Sequence, residues 1–252
     1  MAGLGRMGRG AIGLLISVLC VGSAAMAQAN KPIERKLLVA SFENIVVIGD
    51  IDVTIVTGKS PSAIANGDKR MLESLKLERV GTTLRVRLQD VINNNRGVPI
   101  TAPLRLKLTT QDIKDVTLSG NGTLNISEVR QQNLARILLS GNGSVDIGKL
   151  VANQFTANII GNGKILLGGG EISDGRVTVD GSGSFGGEKV SMRKLRLEHI
   201  GNAVSTATVQ EGTDIYNRGS GKISIGGKGT CFIKQAGAAA INCAKIDTGS
   251  SK

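Results

Sequence analysis

A few side chains in this 252-residue sequence are of types that could carry chemistry. His199 is the single histidine, a residue able to act as general acid or base near neutral pH. Asp146, Asp174 and Asp180 are near one another in sequence and are the kind of group that calcium binding or glycan cleavage requires. Arg136, Arg176 and Arg196 could hold an anion through their planar donor forks. Cys231 and Cys243 could close a disulfide, remain buried thiols, or contribute to a metal site.

What these groups can do depends on the elements that position them, and those elements repeat. Aligned on glycine, the chain reads Ser119-Gly120-Asn121-Gly122, Ser140-Gly141-Asn142-Gly143, Ile160-Gly161-Asn162-Gly163, Asp180-Gly181-Ser182-Gly183, Ile200-Gly201-Asn202-Ala203 and Arg218-Gly219-Ser220-Gly221. The first glycines step by 21, 20, 20, 20 and 18 residues. Apolar residues alternate before each corner, as in Val116/Leu118, Ile137/Leu139 and Val177/Val179, and after it, as in Leu124/Ile126, Val145/Ile147 and Ile223/Ile225. Period two means strands with one buried face, and a strand-corner-strand unit of this length cannot bury that face alone. The expected fold is all-β, a single-stranded right-handed parallel β-helix with about 20 residues per coil, in which like residues stack into columns. The handedness rests on the usual chirality of parallel crossovers. A β-propeller fits less well, because its blades are longer and carry aromatic signatures.

The register sorts the candidates. His199 falls in the column of Leu118, Leu139, Ile159 and Val179, so it is expected to point inward and be hydrogen-bonded, a structural role. The three aspartates do not share a column, and no G-G-x-G-x-D calcium repeat occurs. Arg136, Arg176 and Arg196 each lie five residues before a corner glycine, with Thr156 in the intervening coil, and alternation points them outward. Arg85/Arg87 and Arg105/Lys107 alternate with apolar residues in the same way. Such a face could bind an anionic polymer, or could simply keep a flat sheet solvated. The asparagines at 121, 142, 162 and 202 could form a hydrogen-bonded ladder or serve only as turn residues. The sequon-like matches at Asn121, Asn125 and Asn142 follow from the repeat and carry no functional weight.

The ends are irregular. Arg6 and Arg9 precede an apolar run from Ala11 to Val21 that closes on Ala25-Met26-Ala27, which reads as a cleaved signal peptide at 1–27 with Gln28 first in the mature chain. The run is short for a membrane span, and Leu19 before Cys20 argues against lipidation. Removing Cys20 leaves an even pair, which favours a Cys231–Cys243 disulfide; no further ligand pair stands nearby for a metal. Residues 28–41 read as a lead-in, 42–230 as the β-helix and 231–252 as a C-terminal cap held by that disulfide. The alternating run Phe42, Ile45, Val47, Gly49, Ile51, Val53 and Ile55, with Leu84/Val86/Leu88 and Leu104/Leu106/Leu108, is expected to make the first coils and a cap. Residues Asp68 to Leu77 read as a short helix or a turn, and Asn93-Asn94-Asn95-Arg96-Gly97 as an exposed loop.

The chain has 31 basic and 20 acidic residues, and removing Arg6 and Arg9 leaves 29 against 20, a mature net charge of +9. An anionic partner fits that balance. Nucleic acid does not fit the exported address or a chain with no Trp, one Tyr and four Phe.

The run Phe42 to Thr57, the strand Leu84 to Leu88 and the successive S-G-N-G corners resemble the putative auto-transporter adhesin head GIN domain family of bacterial envelope proteins, over roughly Phe42 to Lys228. That resemblance implies a β-helical envelope domain and brings no catalytic residues. The chain ends Thr248-Gly249-Ser250-Ser251-Lys252 without a segment like a translocating barrel, so a complete autotransporter is not expected. The expectation is a periplasmic or secreted cell-envelope module with a non-catalytic binding, adhesive or structural role and no cofactor, for which an anionic polysaccharide or envelope component is the candidate partner. A β-helical polysaccharide lyase or hydrolase is the alternative.

Overall fold

The computed structural model describes residues 33–89 and 102–247. The expected signal peptide with Cys20, the mature start at Gln28, the loop at 93–97 and the tail 248–252 lie outside the described residues.

The first elements build one end of a solenoid. Strand β1 (Ile33–Leu37) is followed by β2 (Asn44–Ile48), β3 (Asp52–Val56) and β4 (Ser62–Gly67). The long alternating run around Phe42 to Ile55 is therefore two strands. Gly49, at φ 108°, turns the chain between them, a conformation that side-chain-bearing residues rarely adopt. Helix α1 (Lys69–Ser74) starts on Asp68, whose side chain accepts a hydrogen bond from the Arg70 N–H at 3.0 Å, and it buries Met71 and Leu72. Strands β5 (Leu75–Val80), β6 (Thr83–Leu88) and β7 (Arg105–Thr109) follow. β2 pairs in parallel with β6, and β3 with β7, as coils should. Outside them the pairing turns antiparallel: β5 on β6, β4 on β7 and β1 on β4. These strands cover the first edge of the stack, where unpaired backbone groups would otherwise face solvent. The lead-in is thus paired chain, with β1 in register from Ile33↔Gly67 to Leu37↔Ala63.

From β8 (Asp115–Gly120) onward the coils are regular: β9 (Thr123–Gly141), β10 (Ser144–Gly161), β11 (Lys164–Leu167), β12 (Gly170–Gly181), β13 (Ser184–Gly201), β14 (Val204–Asn217), β15 (Lys222–Gln235) and β16 (Ala240–Asp247). Every ladder from β8 to β16 is parallel, so the chain is a β-solenoid of stacked coils about 20 residues apart. Gly141, Gly161, Gly181 and Gly201 stand in one column, as the repeat requires. At the Gly181 corner both glycines are required by close approach: a Cβ on Gly181, which also takes φ +124°, would lie 2.3 Å from the Gly161 carbonyl oxygen, and one on Gly183 would sit 2.6 Å from the Gly163 carbonyl oxygen and 2.7 Å from an Ile159 methyl. The first glycine serves both the turn and the stacking of successive coils, the second the stacking alone.

The lumen is filled by the alternating residues. Val116, Ile137, Ala157, Val177, Leu197 and Ile215 form one column, and Leu124, Val145, Ile165, Phe185, Ser205 and Ile223 another, all at or below 2 % exposure. Burial of each larger aliphatic side chain contributes about 1.5–3 kcal/mol, which no isolated coil could gain. The disulfide Cys231–Cys243 is formed, with Cα atoms 6.4 Å apart. Cys231 stacks on Thr213 and Cys243 on Ile225, so the bridge joins two different columns of the last coils. β15 runs without interruption through residue 231, and β16 stacks on it in parallel as the last described strand.

Candidate functional site

The arginine set is brought together by register. Asp115, Arg136, Thr156, Arg176, Arg196, Asp214 and Phe232 occupy successive rungs of one outward column. Adjacent rungs of such a stack are about 4.8 Å apart, so the guanidinium groups share one strip of surface. Each arginine has a buried neighbour on either side, Ala135 and Ile137, Gly175 and Val177, Leu195 and Leu197, which is why alternation places all three in solvent.

Their surroundings differ. Arg136 Nη1 lies 3.5 Å from Asp115 Oδ1, an exposed pair of little energetic weight. Arg176 makes no ion pair among the described residues. Arg196 lies over the Tyr216 ring, its guanidinium carbon 4.3 Å from the centroid, a cation–π contact that adds to its anchoring on the sheet. Both Arg176 and Arg196 border an open groove of about 680 Å³ that also takes in Lys194, Asp174, Asp214 and Phe232. Asp174 accepts from Arg193 Nη2 at 2.8 Å, and Glu211 Oε2 lies 3.1 Å from Nη1 of the same residue. Asp174, then burial, then Glu211 govern Arg193, and the net effect raises its pKa and keeps it charged. Arg193 is thus shared between two carboxylates, and the groove itself sets the cations Arg176, Lys194 and Arg196 against Asp174 and Asp214, an excess of positive charge.

Arg85 and Arg87 lie on the same wall, because β6 stacks on β2 and β2 on β8, whereas Arg105 and Lys107 lie on the wall after the corner. The basic residues at the N-terminal end are therefore divided between two faces. A second groove, about 480 Å³, is lined by Gln131, Asn153, Glu171, Ser191, Arg193 and Gln210 and mixes both charges.

Asp146 stacks between Asn125 and Leu166, Asp174 between Gln154 and Lys194, and Asp180 between Ile160 and Ile200. They occupy three separate columns. Among the described residues no three His, Cys, Asp or Glu side chains converge as a metal site would require.

His199 is fully buried in the column of Val179 and Asn217, but the hydrogen bonds expected of it are missing. Among the described residues neither ring nitrogen has a hydrogen-bond partner. Burial lowers its pKa, and a backbone interaction with Ala203 only partly opposes that. The lumen of the last coils is polar elsewhere too, with Ser205, Thr213 and Asn217 buried.

Of the two readings of the asparagines, the ladder holds over three rungs. Asn142 Nδ2 donates to Asn121 Oδ1 at 3.1 Å and Asn162 Nδ2 to Asn142 Oδ1 at 2.9 Å. Ser182 interrupts it, and Asn202 accepts instead from the Ser220 hydroxyl.

Repetition made the arginine strip readable in the sequence, but its aromatic boundary was not. Tyr216 and Phe232 fall outside the G-N-G pattern, and only the parallel register sets them beside Arg196 and on its column.

Comparison with solved structures supports the fold. A putative adhesin from Bacteroides fragilis matches at 18 % identity and TM-score 0.69, over 86 % of this chain and 96 % of that one. A putative lipid binding protein from Parabacteroides distasonis matches at 18 % identity and TM-score 0.62, again over 86 % and 96 %. A putative adhesin from Parabacteroides merdae matches at 15 % identity and TM-score 0.62, over 84 % and 96 %. Among curated proteins none matches this chain. The family model of the putative auto-transporter adhesin, head GIN domain, matches residues 41–229, which run from β2 into β15. The chain belongs to that putative auto-transporter adhesin, head GIN domain family.

Proposed function

We propose that this protein is an exported, non-catalytic binding module of the cell envelope that holds an anionic glycan or envelope polymer against its arginine strip. Supporting the general role is membership of an adhesin-type family. The observation that carries the finer reading is the placement of Arg176 and Arg196 on adjacent rungs of one exposed column, over a basic groove. A binding module needs only such a wide face of like chemistry. A lyase or hydrolase needs converging titratable groups, and the aspartates that could have supplied them are dispersed over three columns. Export by a cleaved leader at 1–27 belongs to the same reading, and it places the domain in the periplasm or at the surface.

The test uses the mature chain from Gln28 and two polyanions, polyphosphate and an acidic glycan. The Arg136→Glu, Arg176→Glu, Arg196→Glu triple variant should bind both at least tenfold more weakly at low salt, since each substitution removes a charge-assisted hydrogen bond to phosphate or carboxylate and adds a repelling charge. Binding equal to that of the parent would overturn the proposal. Appearance of new reducing ends in the glycan would instead favour the enzyme.

A further inference from the structure

Of the aromatic side chains outside the core, Phe232 lines the arginine groove and Tyr216 packs under Arg196, which borders it. The chain has four Phe, one Tyr and no Trp. Phe42, Phe155 and Phe185 are buried at 1–2 % exposure, which leaves Tyr216 and Phe232. Tyr216 lies under Arg196 and, at 5.5 Å, Lys234 Nζ. Phe232 stands in the arginine column itself, one rung beyond Asp214, and is 47 % exposed. Its ring lies in ordinary van der Waals reach of Gly212, where a Cβ would stand 3.9 Å from it. Leaving a large apolar ring in solvent gains nothing for the fold, and the buried cores of these coils use Ile215, Ile223 and Cys231.

Resting on the reading of this strip as an anion-binding face, we infer that the groove is a subsite for a polysaccharide that combines acidic and uncharged sugars. A uronate carboxylate would lie at the forks of Arg176 and Arg196, and an uncharged pyranose would stack on Phe232 beside Asp214. Three features argue for a glycan over a simple polyanion. A pyranose has an apolar C–H face that fits an aromatic ring, whereas a phosphate or sulfate group has none. The rungs advance by about 4.8 Å, so the four from Arg176 to Phe232 form a track along the solenoid axis long enough for an oligosaccharide to set a carboxylate at the arginine end and an uncharged pyranose at the Phe232 end. The order of charges along the column is Arg176, Arg196, Asp214, Phe232. Asp214 repels a carboxylate on its own rung, so the sugar seated between it and Phe232 should carry no charge.

The experiment measures binding of three probes to the mature chain: hyaluronan oligosaccharides, in which uronate alternates with an uncharged sugar; oligogalacturonate of equal length, in which every sugar is acidic; and polyphosphate. Hyaluronan should bind more tightly than oligogalacturonate. Phe232→Ala should weaken hyaluronan about fivefold to tenfold and leave polyphosphate unchanged, the loss expected for one ring contact. Phe232→Trp should restore binding, and Asp214→Asn should bring oligogalacturonate up to hyaluronan. Because residue 232 points into solvent, its variants should keep the parent's melting temperature, and melting is measured alongside. If Phe232→Ala binds all three probes like the parent while the arginine variants lose them, the sugar subsite is wrong and the anion-binding face stands. If polyphosphate binding survives arginine reversal, the face itself is wrong.

Discussion

Asn217 stands directly on His199 in the parallel register of β13 and β14, and both side chains are completely buried. Asn217 satisfies itself locally: its Nδ2 donates to the Gly219 carbonyl at 3.2 Å, and the Gly219 N–H donates to its Oδ1 at 3.2 Å. His199 has no such arrangement. Two columns that are apolar in the earlier coils thus become polar at His199 and Ser205, and the buried polar atoms of both side chains are without a partner among the described residues.

His199 should therefore make stability depend on pH. Burial depresses its folded-state pKa below the ordinary 6.5. The unfolded chain then takes up its proton first, so stability is full above about 6.5 and falls as pH drops through the lowered value. Since the sequence has one histidine, a loss of melting temperature between neutral and mildly acidic pH reports on it alone. His199→Leu should flatten that slope and stabilise the fold by about 1–3 kcal/mol, the cost of leaving buried polar atoms unpaired. Coincident melting curves for variant and parent would mean that the ring is satisfied in solution.

At the corners, Gly181→Ala should destabilise by at least about 2 kcal/mol, because it combines an unfavourable φ with a backbone clash. Its Cβ would lie 2.3 Å from the Gly161 carbonyl oxygen. Gly169→Ala is the control, since its Cβ meets nothing nearer than 3.9 Å and it should stay within about 0.5 kcal/mol of the parent. Equal denaturant midpoints for the two would remove the steric argument.

Removing the disulfide by Cys231→Ala with Cys243→Ala opens a link between residues 12 apart. The chain-entropy cost is about 3 kcal/mol, and it should be felt locally, because β16 pairs only with β15. Hydrogen exchange should speed up over β15 and β16 while β10 and β12 remain protected. Uniform loss of protection would show that the last coils and the middle of the stack unfold as one unit.

At the other end, Thr110 Oγ1 donates to the Phe42 carbonyl at 2.6 Å in a fully buried site. Thr110→Val keeps the shape and strands that acceptor, so urea unfolding should show a loss of about 1–2 kcal/mol. No change would mean that water reaches Phe42.

Much of this architecture can be read directly from residue types. Glycine at Gly120, Gly141, Gly161 and Gly181 needs no tertiary context to mark a turn, and alternation such as Ile137/Leu139 determines which face is buried. The inward place of His199 and the outward place of Arg136, Arg176 and Arg196 follow from those two facts. The first corner was less legible: Gly49 is followed by Asp50 and Ile51, without the second glycine that makes later corners recognisable. The antiparallel end around β4 and β5 has no repeating signal either, since strand direction is set by the partner across the ladder and leaves no mark on alternation.

Side-chain satisfaction and neighbourhood were decided only in three dimensions. Whether an inward histidine finds a hydrogen-bond partner depends on what the next coil offers at that height, and the next coil offers an asparagine already occupied by Gly219. Whether arginines form a site depends on what else reaches their strip. Tyr216 and Phe232 arrive there because an 18-residue coil step keeps the columns in register where the corner motif itself has decayed. Local preference along the chain determined the coil; contact between residues far apart in sequence determined what its surface and lumen hold.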